Sequence, residues 1–152
     1  MIREIVQVGD PVLREKCKPV TRFDGELAKL LDDMKETLRK AEGAGLAAPQ
    51  VGVPLRAVVV DVEEGYFELI NPVFVWQKGE QVGPEACLSV KGKSGIVRRP
   101  DKVKVIFQDR KGDKYSLVAR GFFARAVCHE IDHLDGVLYI DKAADIRDEE
   151  DV

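Results

Sequence analysis

The sequence predicts an α+β fold: an N-terminal helix, a run of strands, and a second helix near the C-terminus. Three observations carry this. Apolar residues recur at three-to-four spacing over residues 24–42. The middle of the chain divides into short β-branched or alternating runs separated by turn residues. A second apolar helical pattern, over residues 121–134, follows the last of these runs. Helices set apart from strands in this way argue against the alternating order of a parallel-sheet fold.

Taken in order, Met1 to Asp10 alternates apolar with polar residues. Gly9-Asp10-Pro11 is a turn opening a short helical piece, with Asp10 as its cap and Pro11 at the first helical position. Asp24 caps the first long helix. Leu27, Leu30, Leu31, Met34, Leu38 and Ala41 form its apolar face, and Gly43 stands where a terminating glycine belongs. A small-residue loop, Gly43 to Gln50, comes next. Arg56 to Val62 is a β-branched run, expected as a buried strand. Phe67–Ile70 and Val73–Gln77 are expected as two strands on either side of an Asn71-Pro72 turn. Lys102–Gln108 alternates, and the polar turn Asp109 to Asp113 folds it back onto Tyr115–Ala119 as a hairpin. The second helix stops near Gly136.

Length and composition set limits. At 152 residues, 45% hydrophobic and 34% charged, the chain suits one globular core and not a disordered segment. A single domain is expected over residues 1–141, with residues 142–152 as an acidic, mobile tail. Lys and Arg number 24 against 27 Asp and Glu, so the net charge of −3 offers no global attraction to nucleic acid or anionic membranes. No apolar run approaches the roughly 18 residues of a membrane span, and the N-terminal segment lacks an apolar signal core. Cys17, Cys87 and Cys128 are odd in number and scattered, which predicts a reducing compartment and no disulfide scaffold. The expectation is a soluble, cytoplasmic monomer without membrane or nucleic-acid partners.

The chain has two histidines, His129 and His133, both in the second helix. Four residues turn an α-helix by about 400°, so both imidazoles lie on one face and can hold one metal ion. Glu130 projects about 100° away, where it can reach a water activated at that metal. A catalytic metal needs a third protein ligand and an open position. Two sources offer the ligand. Asp145, Asp148, Glu149 and Glu150 lie in the C-terminal tail and would make the chain a small zinc-dependent peptidase. Cys87, in Glu85-Ala86-Cys87-Leu88-Ser89, lies outside any apolar periodic face and would complete a Cys-His-His set. The two differ in whether metal survives a cut after Asp141.

Three segments, Gly43 to Gln50, Glu85 to Ser89 and His129 to Gly136, together resemble the signature motifs of peptide deformylases in the family's order, and Asp10 to Arg14 is similar too. The resemblance spans nearly all of the chain up to Asp141. It implies an α+β fold with the metal-binding helix packed among antiparallel strands. It implies a metal-dependent hydrolase that removes the N-formyl group from the formylmethionine of nascent polypeptides, releasing formate. By position, Cys87, His129 and His133 match the metal ligands and Glu130 the acid–base. Gln50 and the backbone N–H of Leu88 match the groups that bind the carbonyl oxygen. The metal implied is iron(II) in the cell, with zinc, nickel or cobalt able to replace it. The implied partners are formylated nascent peptides, with transient ribosome contact.

Gly43 and Gly45 allow a substrate backbone to approach the loop. Phe122 and Ala126, seven and three residues before His129, are expected with Ala44 to line a pocket for the methionine side chain. Three positions depart from the family pattern. Ala86 replaces a glycine, which would be strained only at positive φ. Cys128 replaces a glutamine and is expected as a packed thiol. Arg125 replaces an apolar residue and is expected to extend its charge to solvent or to the downstream peptide. With intact Glu130 and Gln50, these changes argue only weakly for a non-catalytic metal- or peptide-binding relative. Arg98, Arg99 and Lys102 are expected on a solvated face, with Arg99 pairing with Glu42 to brace the loop.

Overall fold

A computed structural model describes residues 1–149. Helix α1 spans Gly25–Ala41 and α2 spans Phe122–Leu134. Among the described residues, eight strands accompany them: β1 (Gly45–Ala47), β2 (Ala57–Val62), β3 (Gly65–Lys78), β4 (Gln81–Cys87), β5 (Val90–Arg99), β6 (Lys102–Gln108), β7 (Lys114–Arg120) and β8 (Ala144–Asp148). They form a five-stranded sheet in the order β1-β2-β3-β6-β7 and a three-stranded sheet in the order β4-β5-β8. All the ladders are antiparallel, as the α+β reading expects.

The β-branched run of β2 is buried on both faces. Val58 and Val60 pack with Val127 and Ile131 of α2, whereas Ala57 and Val59 pack with Leu31 and Met34 of α1. The two helices therefore cover opposite faces of the larger sheet. Asp24 caps α1 by accepting from the Leu27 N–H at 3.1 Å, and Asp10 accepts from the Val12 N–H at 3.0 Å. The left-handed residue that ends α1 is Glu42 (φ 57°), one position before the expected glycine.

Three expectations are corrected, and one hairpin was not expected. The Asn71-Pro72 pair does not turn the chain: β3 runs unbroken past it with a register shift between Ile70 and Val73. Asn71, at φ 51°, bonds through its side chain to both backbone groups of Val20 and to Gln108, so the turn-forming residue stabilises a bulge instead. The β4–β5 hairpin has no counterpart in the sequence reading. Its strand β5 does alternate, but its buried positions are Val90, Gly95, Val97 and Arg99, and two of these four are not apolar. Residues 142–149 do not form the tail expected there, because Ala144–Asp148 form β8, with Lys93 opposite Asp148 and Ser94 opposite Arg147. Residues 150–152, including Glu150, lie outside the described residues. Arg99 does not meet Glu42; its buried guanidinium pairs with Glu85 and Asp132.

Gly136 ends α2 at φ 74°, and a Cβ there would lie 2.5 Å from the Arg14 carbonyl oxygen. Backbone on both sides leaves no room to yield. Gly136→Ala is expected to destabilise the fold by about 1–3 kcal/mol, seen by calorimetry as a fall of several degrees in Tm.

Candidate metal centre

Helix α2 presents His129 and His133 one turn apart, with ring centroids 5.1 Å apart. Cys87 ends β4, immediately before the tight turn into β5, and its Sγ lies 3.4 Å from His133 Nε2. Ligand atoms of Cys87, His129 and His133 all lie within 4.8 Å of one another. One thiolate and two imidazoles suit a borderline-soft divalent metal, and three protein ligands leave a position open. The tail carboxylates do not join them. Asp145 pairs with Arg147, Asp148 with Lys93, and Glu149 with the Ser94 hydroxyl. Of the two sources of a third ligand, the fold brings only Cys87 to the histidines among the described residues.

Glu130 is buried beside the ligands, its Oε2 4.0 Å from His129 Nε2 and its Oε1 without a hydrogen-bond partner. Burial pushes its carboxyl up to about 7, with His129 pulling against the shift and the Glu85 charge adding to it. Such a group can both accept and return a proton near neutral pH. Gly45 makes room for it: a Cβ there would meet Glu130 Oε2 at 2.5 Å. At Gly43, a Cβ would meet Leu88 Cδ1 at 2.9 Å. Both glycines of the loop therefore answer close contacts across the site.

Gln50 is buried in the 3-10 turn Ala48–Val51 that follows β1. Its Oε1 accepts from the Ala47 N–H at 2.9 Å, while Nε2 donates to Ser89 Oγ at 3.0 Å and approaches Cys87 Sγ at 3.5 Å. These partners fix which end of the amide faces the centre. Leu88 sits in the β4–β5 turn with its carbonyl accepting from Gln7. The edge of β1 and the β4–β5 turn flank a cavity of about 880 Å³, lined by Gly43, Ala44, Gly45, Ala126 and Phe122 among others. Phe122 is 62% exposed, so it forms the rim and is not core.

Behind the ligands lies a cluster of charges that the sequence reading missed. His129 Nδ1 bonds Glu85 Oε1 at 2.8 Å, leaving Nε2 for the centre. Arg99 grips Glu85 through Nε at 2.8 Å and Nη2 at 2.9 Å, and reaches Asp132 at 2.6 Å. Burial works against the Glu85 carboxylate, but Arg99 and His129 outweigh it and hold its pKa at about 2. Arg125 does not extend to solvent. It is buried and donates to Glu85 Oε2 at 2.7 Å. An acid at alternate spacing from Cys87 and a basic residue one turn before His129 were the available signals. Ala86 avoids positive φ, so its side chain strains nothing. Cys128 is a packed thiol, pushed by burial up to about 12.

The family model for polypeptide deformylase matches residues 2–149. A peptide deformylase of Caldanaerobacter subterraneus is 52% identical over 151 residues, covering 99% of this chain and 95% of that protein. Peptide deformylase 1 of Bacillus cereus is 50% identical over 153 residues, covering 99% and 98%. Among solved structures, the peptide deformylase of Thermotoga maritima aligns with a TM-score of 0.93 at 40% identity, covering 95% of this chain and 99% of that one. The Synechococcus elongatus enzyme, solved in complex with actinonin, aligns at 0.90 and 40% identity, covering 94% and 79%.

The contact between Gly45 and Glu130 leads to a direct test. Gly45→Ala must move the carboxylate, and a displacement of about 1 Å can cost about 10²-fold in rate. The variant is expected to keep its metal by elemental analysis and to lose turnover by about that factor.

Proposed function

The chain belongs to the peptide deformylase family, and from that premise we propose how its own residues divide the family's work. The reaction removes the formyl group from the N-terminus of nascent polypeptides. It gives formate and a free amine. Cys87, His129 and His133 would hold one divalent metal. When bound, that ion polarises the formyl carbonyl and makes water acidic enough to attack near neutral pH. Glu130 takes the proton from the attacking water on its carboxylate and hands it to the departing nitrogen. Its burial and its unpartnered Oε1 suit a group that must be free to do both.

Negative charge develops on the formyl oxygen as the carbon becomes tetrahedral. Gln50 Nε2–H and the Leu88 backbone N–H donate to that oxygen, and each such donor is worth about 10²–10³ in rate. Gln50 needs no reorientation, since Ala47 and Ser89 already hold its amide. The peptide backbone lies along the open edge of β1, where Gly43 and Gly45 carry no side chain to block it. The methionine side chain enters the cavity between Ala44, Ala126 and Phe122.

The ion in the cell is iron(II), which the Cys-His-His set would exchange for zinc, nickel or cobalt. The enzyme works as a cytoplasmic monomer in transient contact with the ribosome, where formylated chains emerge. Its three unpaired cysteines suit a reducing compartment, and its net charge of −3 gives no reason to expect direct nucleic-acid binding.

The observation that carries this reading is the closeness of the three ligand atoms to one another, with Glu130 beside them. Anaerobic metal analysis combined with formate release from a formyl-Met peptide tests it. Roughly one metal per chain and robust turnover are expected, since the open site has three protein ligands. Cys87→Ala should lose the metal. Glu130→Gln should keep it and lose about 10²–10⁴ in kcat. Full activity in either variant overturns the assignment.

A further inference from the structure

Arg125 lies on α2 one turn before His129, and both line the cavity. An arginine there could reach solvent, yet its residue exposure is only 6%. Its Nη1 bonds Glu85 Oε2 at 2.7 Å and the carbonyls of Val97 at 3.1 Å and Gly83 at 3.4 Å. Nη2 makes a longer contact with Gln81 Oε1 at 3.4 Å. One side chain of α2 is thus fastened to β4 and β5, the hairpin that carries Cys87. Gly83 leaves the space for this, since a Cβ there would lie 3.2 Å from Arg125 Nη2.

The Glu85 carboxylate has about four acceptor positions, and all are used. Oε1 meets His129 Nδ1 and Arg99 Nη2, while Oε2 meets Arg99 Nε and Arg125 Nη1. Both carboxylates of the set are paired more than once: Arg99 bridges Glu85 and Asp132, Arg125 adds a second cation to Glu85, and Lys142 adds one to Asp132.

We infer that Arg125 is a positioning residue for the metal centre: it pins Glu85 so that Glu85 holds His129 with Nε2 aimed at the metal. This rests on the ligand set proposed above. Losing a partner behind a metal-bound histidine typically costs about 10–100-fold in metal affinity. Without Arg125, Glu85 Oε2 keeps one donor instead of two, and the carboxylate can tilt away from His129. Arg99 still neutralises it, so the fold should survive.

The test uses the zinc-loaded full chain in competition with a chelator, and the cobalt-substituted protein for its d–d absorption. Arg125→Met is expected to raise the Kd for zinc about tenfold and to shift the cobalt bands. Arg125→Gln, a second neutral variant, is read in the same way should the first not fold. Arg125→Lys, which restores a cation within reach of Glu85, should recover much of the loss. In a Glu85→Gln background, Arg125→Met should add little. A folded Met or Gln variant with wild-type zinc affinity and cobalt spectrum would overturn the inference. So would an equal further loss in the Glu85→Gln background. Formate release by the unmodified enzyme is measured alongside. Its absence with the metal readouts as expected would overturn the deformylase assignment and not this one.

Discussion

The carboxylate of Glu85 is where the pieces of the centre meet. It comes from β4, it is gripped by Arg99 of β5 and Arg125 of α2, and it bonds His129 of α2. The residues that could hold a metal are divided in the same way, Cys87 on the hairpin and the histidines on the helix. Whatever sets the hairpin against the helix therefore also sets the distance from thiolate to imidazole. Buried ion pairs seldom add much net stability, because removing charges from water offsets most of their attraction. Their effect here is geometric. An apolar contact between the same elements would tolerate a slide of an ångström, whereas a carboxylate with every acceptor position used does not.

A second constraint works from the opposite side of the centre. The β1 loop presses closely on Glu130, where a Cβ at position 45 would meet Oε2, Cγ and Cδ at 2.5–2.9 Å, and more lightly on the yielding ends of Leu88 and Leu38 at position 43. Gln50 then closes the gap between this loop and the hairpin by bonding Ser89. The hairpin is thus bonded to the loop through Ser89 and to the helix through Glu85 and Arg99, while loop and helix meet by close packing of Gly45 on Glu130. A donor held in place before substrate arrives would need no reorganisation as charge develops, which suits the role proposed for Gln50.

The frame of the fold was legible because it obeys simple periodicity. Leu27 to Leu38 mark one face of α1, the run at Val58–Val60 marks a doubly buried strand, and the spacing of the histidines marks a shared helix face. Other parts were not. Strand β5 hides its alternation because Gly95 and Arg99 occupy inward positions. Strand β8 is exposed along its length and held by backbone pairing with β5, which leaves no hydrophobic trace. At Asn71-Pro72, a pair that ordinarily turns a chain is captured by Val20 and Gln108 within a continuous strand.

The misread residues have something in common. Arg99 and Arg125 were read as surface cations because a charged residue is rarely buried without a partner, and their partner, Glu85, lay in a segment with no assigned structure. Recognising any one of the three as buried requires knowing that the other two are there. Hydrophobic pattern is local and can be read residue by residue; a buried charge cluster is collective and becomes visible only once the strands bring it together. The ligands and Glu130 stood out because their chemistry is written at fixed spacing on one helix and in one short motif. The groups that aim them did not, because their contacts are made across three elements and follow no repeat.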